Sequence, residues 1–85
     1  MSTPAIHTFD TRQQHVVTPG EIRPGDWLRD LGTLRQVDFV DAISVAQGPE
    51  LLFILHFVPQ QGVPTLALGM SSRASSLVVL REPAP

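Results

Sequence analysis

Glu21-Ile22-Arg23-Pro24-Gly25-Asp26-Trp27-Leu28-Arg29-Asp30-Leu31-Gly32 is the stretch whose reading decides the fold. Pro24-Gly25 is a turn pair, because proline pre-sets its own φ and glycine adopts the positive φ that a following turn position requires. Residues 27–31 are too few for a helix and are bounded by turn signals, so they read as a short strand. Asp30-Leu31-Gly32-Thr33 then reverses the chain into the next strand. A strand held between two tight turns opens an all-β meander.

Downstream, residues 34–45 run about three times the length of a minimal strand. Val37, Phe39, Ile43 and Val45 fall on one side, with Gln36, Asp38 and Ser44 on the other. Asp41 interrupts the apolar series, and Val40 and Ala42 fall on the wrong side for a uniform strand. A bend or bulge is therefore expected at residues 40–42. Gln47-Gly48-Pro49-Glu50 is a turn, and residues 51–58 form an almost unbroken apolar run, read as a strand buried on both faces. Residues 65–70 and 76–81 supply two further strands. Between them, Ser71-Ser72-Arg73-Ala74-Ser75 has the composition of a linker able to wind into one helical or 3₁₀ turn.

Upstream, residues 15–18 suit a short edge strand closed by Pro19-Gly20, and Ile22 is placed to tuck inward between the two proline–glycine turns. Residues 1–14 are polar and aperiodic and read as a flexible arm, residues 15–81 as one small β-barrel domain, and residues 82–85 as a tail. The expected architecture is a small, partly open barrel of five to six antiparallel strands with one short helical or 3₁₀ turn.

Composition bounds the function. At 85 residues with 42% hydrophobic and 16% charged residues, the chain is a single folded unit with a small core. It has no cysteine for a disulfide or thiolate metal site, so self-association is the expected supplement to stability. The absence of cysteine, of a secretory-type start and of any long apolar span points to a soluble cytoplasmic protein without membrane attachment. All six basic residues are arginine, and lysine, asparagine and tyrosine are absent, a bias typical of GC-rich coding in actinobacteria and their phages. The net charge of −2 argues against binding dominated by nucleic-acid phosphates.

From Thr18 to Arg81 the chain resembles the SH3-like small barrels: an Ile-x-Pro-Gly-Asp-Trp opening, a short strand, a glycine turn, a long bent strand, two further strands, a short helical turn and a final strand. That resemblance implies architecture alone. A Pro-Gly-Asp turn also opens a strand of the self-splicing Hint domains. Those require a nucleophilic Cys or Ser at the start and a terminal His-Asn pair, and the chain has neither cysteine nor asparagine. The KOW-type barrels of ribosomal and transcription proteins carry basic loops that are missing here.

No residue set carries catalytic, cofactor or metal chemistry. His7, His15 and His56 lack metal-ligand spacing, and no Gly-x-Ser-x-Gly turn supports a hydrolytic triad. Asp26 reads as a turn acceptor rather than an acid catalyst. Trp27 is either an exposed aromatic platform or an indole packed at the barrel's end. Ser71-Ser72-Arg73-Ala74-Ser75-Ser76 reads as a solvated linker or an anion-binding loop. In residues 51–58 one alternate set fills the interior. If Leu51, Phe53, Leu55 and Phe57 are core, then Leu52, Ile54, His56 and Val58 face outward and need a cover; the reverse assignment exchanges the sets.

These readings give a non-enzymatic protein-interaction or assembly module. Its interface would comprise Leu52, Ile54, His56, Val58 and Trp27, with a homo-oligomer, a dimer first, or another protein as partner. His56 would sit where its protonation weakens association. The alternative is a small nucleic-acid-binding barrel in which Arg29, Arg35, Arg73 and Arg81 converge with Trp27 on one face.

Overall fold

The computed structural model describes residues 12–45 and 48–83. Six strands form one antiparallel sheet: β1 (Gln13–Val17), β2 (Trp27–Asp30), β3 (Thr33–Ser44), β4 (Leu51–Phe57), β5 (Ala67–Ser71) and β6 (Leu77–Arg81). Their spatial order is β1-β6-β2-β3-β4-β5, and the sheet does not close, so β1 and β5 are its edges. Among the described residues there is no helix beyond a 3₁₀ turn at Pro19–Glu21. β1 begins inside the expected arm of residues 1–14; residues 1–11 lie outside the described residues, as do the last two of the expected tail, 82–85.

The Pro24-Gly25 pair forms a type II turn. The Asp26 N–H donates to the Arg23 carbonyl at 3.0 Å, and Gly25 has the φ of 92° that the third position of such a turn requires. Two further bonds, Gly25 N–H to Val37 O at 2.7 Å and Val37 N–H to Asp26 O at 2.8 Å, fasten the turn to β3. At the β2–β3 hairpin Asp30 pairs with Thr33, leaving Leu31 and Gly32 as a two-residue loop with φ of 52° and 82°. Both positive values mark the primed turn whose twist matches the flanking strands.

β3 curls the sheet. Its register with β4 shifts between Val37 and Phe39: Val37 faces Phe57, but Phe39 faces His56, leaving Asp38 as a bulge. A one-residue insertion reverses which side chains point inward. Val37 is therefore buried, Val40 packs on the core, and Phe39 and Ile43 emerge on the outer surface. This corrects the expected bulge at residues 40–42 and the grouping of Val37 with Phe39. Strict alternation had assigned the parity before the insertion to the residues after it.

The core gathers Val17 of β1, Ile22, Leu28 of β2, Val37 of β3, Leu55 and Phe57 of β4 and Val79 of β6, with Phe53, Leu68, Met70 and Leu77 packed around them. Every strand contributes, so the open sheet is curled about one interior. The 3₁₀ turn helps to cover that interior: Pro19 is fully buried and Gly20 lies against the Phe53 ring. The linker before β6 does not wind into a helix or 3₁₀ turn, because the Ser71 hydroxyl accepts from Arg73 N–H and the Ser71 carbonyl from Ala74 N–H, closing a single serine-anchored turn.

β2 and β6 share only one ladder position, Trp27 with Leu80. An ion pair between a half-buried arginine and a buried aspartate adds to the junction. Arg81 donates from Nε to Asp26 Oδ1 at 2.8 Å and from Nη2 to Oδ2 at 3.1 Å, and Nη2 also reaches the Glu21 carbonyl at 3.0 Å. The second Asp26 oxygen also accepts the Arg23 N–H at 2.9 Å. The hydrogen bond to Asp26 raises the Arg81 pKa above its ordinary value.

Two stability measurements follow. Asp26→Ala leaves the Arg81 guanidinium uncompensated and is expected to lower unfolding free energy by about 3 kcal/mol in urea titration; a loss under about 1 kcal/mol would deny the pair its role. Leu31→Asn replaces a strained residue with one that tolerates the left-handed region, and is expected to raise stability by about 0.5–1 kcal/mol.

Candidate interaction surface

Alternation about the buried positions sorts the site residues. In β4, Leu55 and Phe57 point into the core and Phe53 packs against it, so the odd-numbered set is interior. The expectation of a strand buried on both faces is corrected here: Leu52, Ile54 and His56 lie on the outer surface and are half-buried, because no second layer covers them among the described residues. Beside them on β3 stand Phe39, 47% exposed, and Ile43, 49% exposed. Ile43 pairs with Leu52 and Phe39 with His56 in the β3–β4 ladder, so these side chains form one row across two strands.

The polar groups on that row satisfy each other. The His56 ring stacks on Phe39 with centroids 4.1 Å apart and 11° between planes, and its Nε2 lies 3.0 Å from Asp41 Oδ2. The sequence reading identified His56 but missed Phe39 and Asp41. The sequence carries no signal for this, since Val37-Asp38-Phe39 alternates without a break and only the register with β4 places them on this side.

Trp27 and Val58 belong to a different part of the outer surface. Leu28 is buried, so its neighbours Trp27 and Arg29 point outward, and Trp27 pairs with Gln36 on one side and Leu80 on the other. The Arg12 guanidinium lies 4.5 Å from the centroid of the indole ring. A groove of about 370 Å³ brings Trp27, Leu34 and Gln36 together with Val58, Pro59 and Gln60. The five expected interface residues thus form two surfaces, Leu52–Ile54–His56 and Trp27–Val58.

The four arginines do not share an exposed face. Arg29 is exposed on the outside of β2, and Arg81 is committed to Asp26. Arg73 lies 3.9 Å from Glu50, whose other carboxylate oxygen accepts the Ser71 hydroxyl. Arg35 is fully buried, with its guanidinium carbon 4.7 Å from the centroid of the Phe57 ring. The Ser-rich turn is likewise committed: the N–H groups of Ser72, Arg73 and Ala74 all donate within the chain, so they are not free to cradle an anion. Glu21 accepts from the Thr18 N–H and hydroxyl, which hold its carboxyl below the ordinary range, the backbone bond contributing most.

Arg35 was missed as a core residue. It precedes the bulge and shares the inward parity of Val37, opposite the buried Leu28. None of its three guanidinium nitrogens has a hydrogen-bond partner among the described residues. The Phe57 face compensates in part, since a desolvated cation–π contact contributes about 2 kcal/mol.

Among the described residues no three His, Cys, Asp or Glu side chains are placed to hold a metal ion, and no helix is long and apolar enough to cross a membrane. No protein-family model, curated protein or solved structure matches the chain.

Burying a guanidinium without a hydrogen-bonded partner costs several kcal/mol, more than one aromatic face returns. Arg35→Met keeps the volume and removes the charge, and is expected to raise unfolding free energy by about 1–3 kcal/mol. A destabilisation of that size would mean that Arg35 has an acidic partner in solution.

Proposed function

We propose that the protein is a non-enzymatic interaction module that self-associates through the outer surface of β3 and β4. The observation that carries this reading is the row of Phe39, Ile43, Leu52 and Ile54, in which two large side chains are about half exposed on the outer surface of the sheet. Burying a large apolar side chain stabilises by about 1.5–3 kcal/mol, so leaving such a row in water forgoes a large gain and invites aggregation.

A second copy is a suitable cover. Two such surfaces related by a two-fold axis pack apolar on apolar, as in sheet-on-sheet contacts about 10 Å apart. The Asp41–His56 pair already supplies its own hydrogen bond, which lowers the penalty of enclosing it. A nucleic-acid role gains less support, since Arg35 and Arg81 are not available to phosphates.

Light-scattering chromatography tests the reading. Wild type is expected to run as a dimer, Ile54→Glu as a folded monomer, and Leu55→Glu as an unfolded chain, because Leu55 is fully buried. A monomeric wild type at high micromolar concentration, or an Ile54→Glu variant that remains dimeric, overturns the proposal.

A further inference from the structure

We infer that self-association through β3 and β4 is coupled to proton uptake at His56, so that the dimer tightens as the pH falls; this rests on the self-association reading and names its regulation. The β3–β4 register puts Asp41 in the middle of the apolar row. Phe39 and Ile43 flank it two residues away on the same side of β3, and Ile54 lies opposite it across the ladder. In the single chain the Asp41 side chain is 59% exposed. A second copy that covers Phe39, Ile43 and Ile54 therefore covers Asp41 as well, and strips water from a carboxylate.

What compensates that charge decides the sign. His56 Nε2, 3.0 Å from Asp41 Oδ2, is the carboxylate's one partner among the described residues. The other charged residues of β3 are Arg35, which points into the core, and Asp38 at the bulge, a second acid. β4 has no other titratable residue, and β5 has none, with Ala67 opposite His56. Arg73, beyond the end of β5, faces Glu50. With a neutral imidazole each copy thus encloses a net negative charge, and a two-fold axis brings two such charges together. With an imidazolium each copy encloses a neutral ion pair. The Phe39 ring, stacked 4.1 Å from the imidazole, adds to this preference, because a cation over an aromatic face is attracted by its quadrupole. Burial of an isolated histidine would favour its neutral form; here the neutral form leaves Asp41 uncompensated. The pair therefore reverses the expectation from sequence that protonation of His56 weakens association. Imidazole changes charge between about pH 5 and 8, so the dimer strengthens as the pH falls through that range. It weakens again below about pH 4, where carboxylates themselves take up protons.

The test is the dimer dissociation constant, measured by sedimentation equilibrium with a chelator present at about pH 8.5 and about pH 6, toward either side of the imidazole range. Wild type is expected to associate at least about tenfold more tightly at the lower pH. His56→Gln keeps a hydrogen-bond donor that takes up no proton, and is expected to be equally weak at both. Asp41→Asn removes the carboxylate charge, and is expected to associate more tightly than wild type at the higher pH and to lose the tightening at the lower. Both positions lie on the outer surface, and emission of the single tryptophan, Trp27, matched to wild type, confirms that each variant is folded. A wild-type dimer of equal strength at both pH values, one that tightens toward the higher pH, or either variant keeping the wild-type dependence overturns this inference and leaves the self-association reading standing. Wild type monomeric at both pH values overturns the two together.

Discussion

The Asp26–Arg81 pair is the constraint on which the rest of the structure depends. β2 and β6 meet at a single ladder position, too little backbone pairing to join the two parts of the sheet. Asp26 is supplied by the proline–glycine turn that fixes the start of β2, and Arg81 is the last residue of β6, so one bidentate contact links residues 55 positions apart. It also orders the intervening loop, since Arg81 binds the Glu21 carbonyl and Asp26 accepts the Arg23 N–H. Without that joint, β1 and β6 would be attached to the sheet by the Trp27–Leu80 position and by the packing of Val17, Leu77 and Val79 in the shared core.

With the joint made, the bulge at Asp38 decides what each surface becomes. Before it, the inward positions of β3 are Arg35 and Val37; after it, Val40 turns in and Phe39 turns out. The same residue count that gives the sheet its curl thus exports an aromatic ring to the exterior and leaves a guanidinium in the interior. The interior compensates only in part, through the Phe57 ring under Arg35. A guanidinium in so small a core is a cost that the surrounding apolar packing has to offset.

Much of this was legible in the sequence. Pro24-Gly25 names its own conformation and Gly32 marks the next turn, so the short β2 and the hairpin after it followed directly, as did the inward Ile22. The apolar run of β4 announced a strand, and its odd-numbered residues proved to be the interior set. What was not legible depended on long-range register. The alternation within β3 cannot locate the bulge, because Asp38 keeps in step with the apolar–polar alternation that Asp41 breaks, and only pairing with β4 places the shift at Asp38. Arg35 was read as a surface charge because arginine is rarely fully buried; its inward parity emerges only when Leu28 is seen opposite. Residue type alone, likewise, could not show that Arg73 and Arg81 are already paired with Glu50 and Asp26.

The placement of the aromatic residues is the last step. Aromatics make up 6% of the chain, and in a domain of this size each buried ring is a large share of the core. Yet Trp27 and Phe39 both face outward, while Phe53 and Phe57 serve the interior. Neither outward ring is left bare: Phe39 stacks on His56, and Trp27 carries Arg12. The two settings differ: one is an aromatic stack whose imidazole is bonded to a carboxylate, the other an indole between a guanidinium and aliphatic grooves. The first, with its polar bonds already satisfied, is the one proposed above to be covered by a second copy. The bulge therefore brings two different outward aromatic settings onto one small sheet.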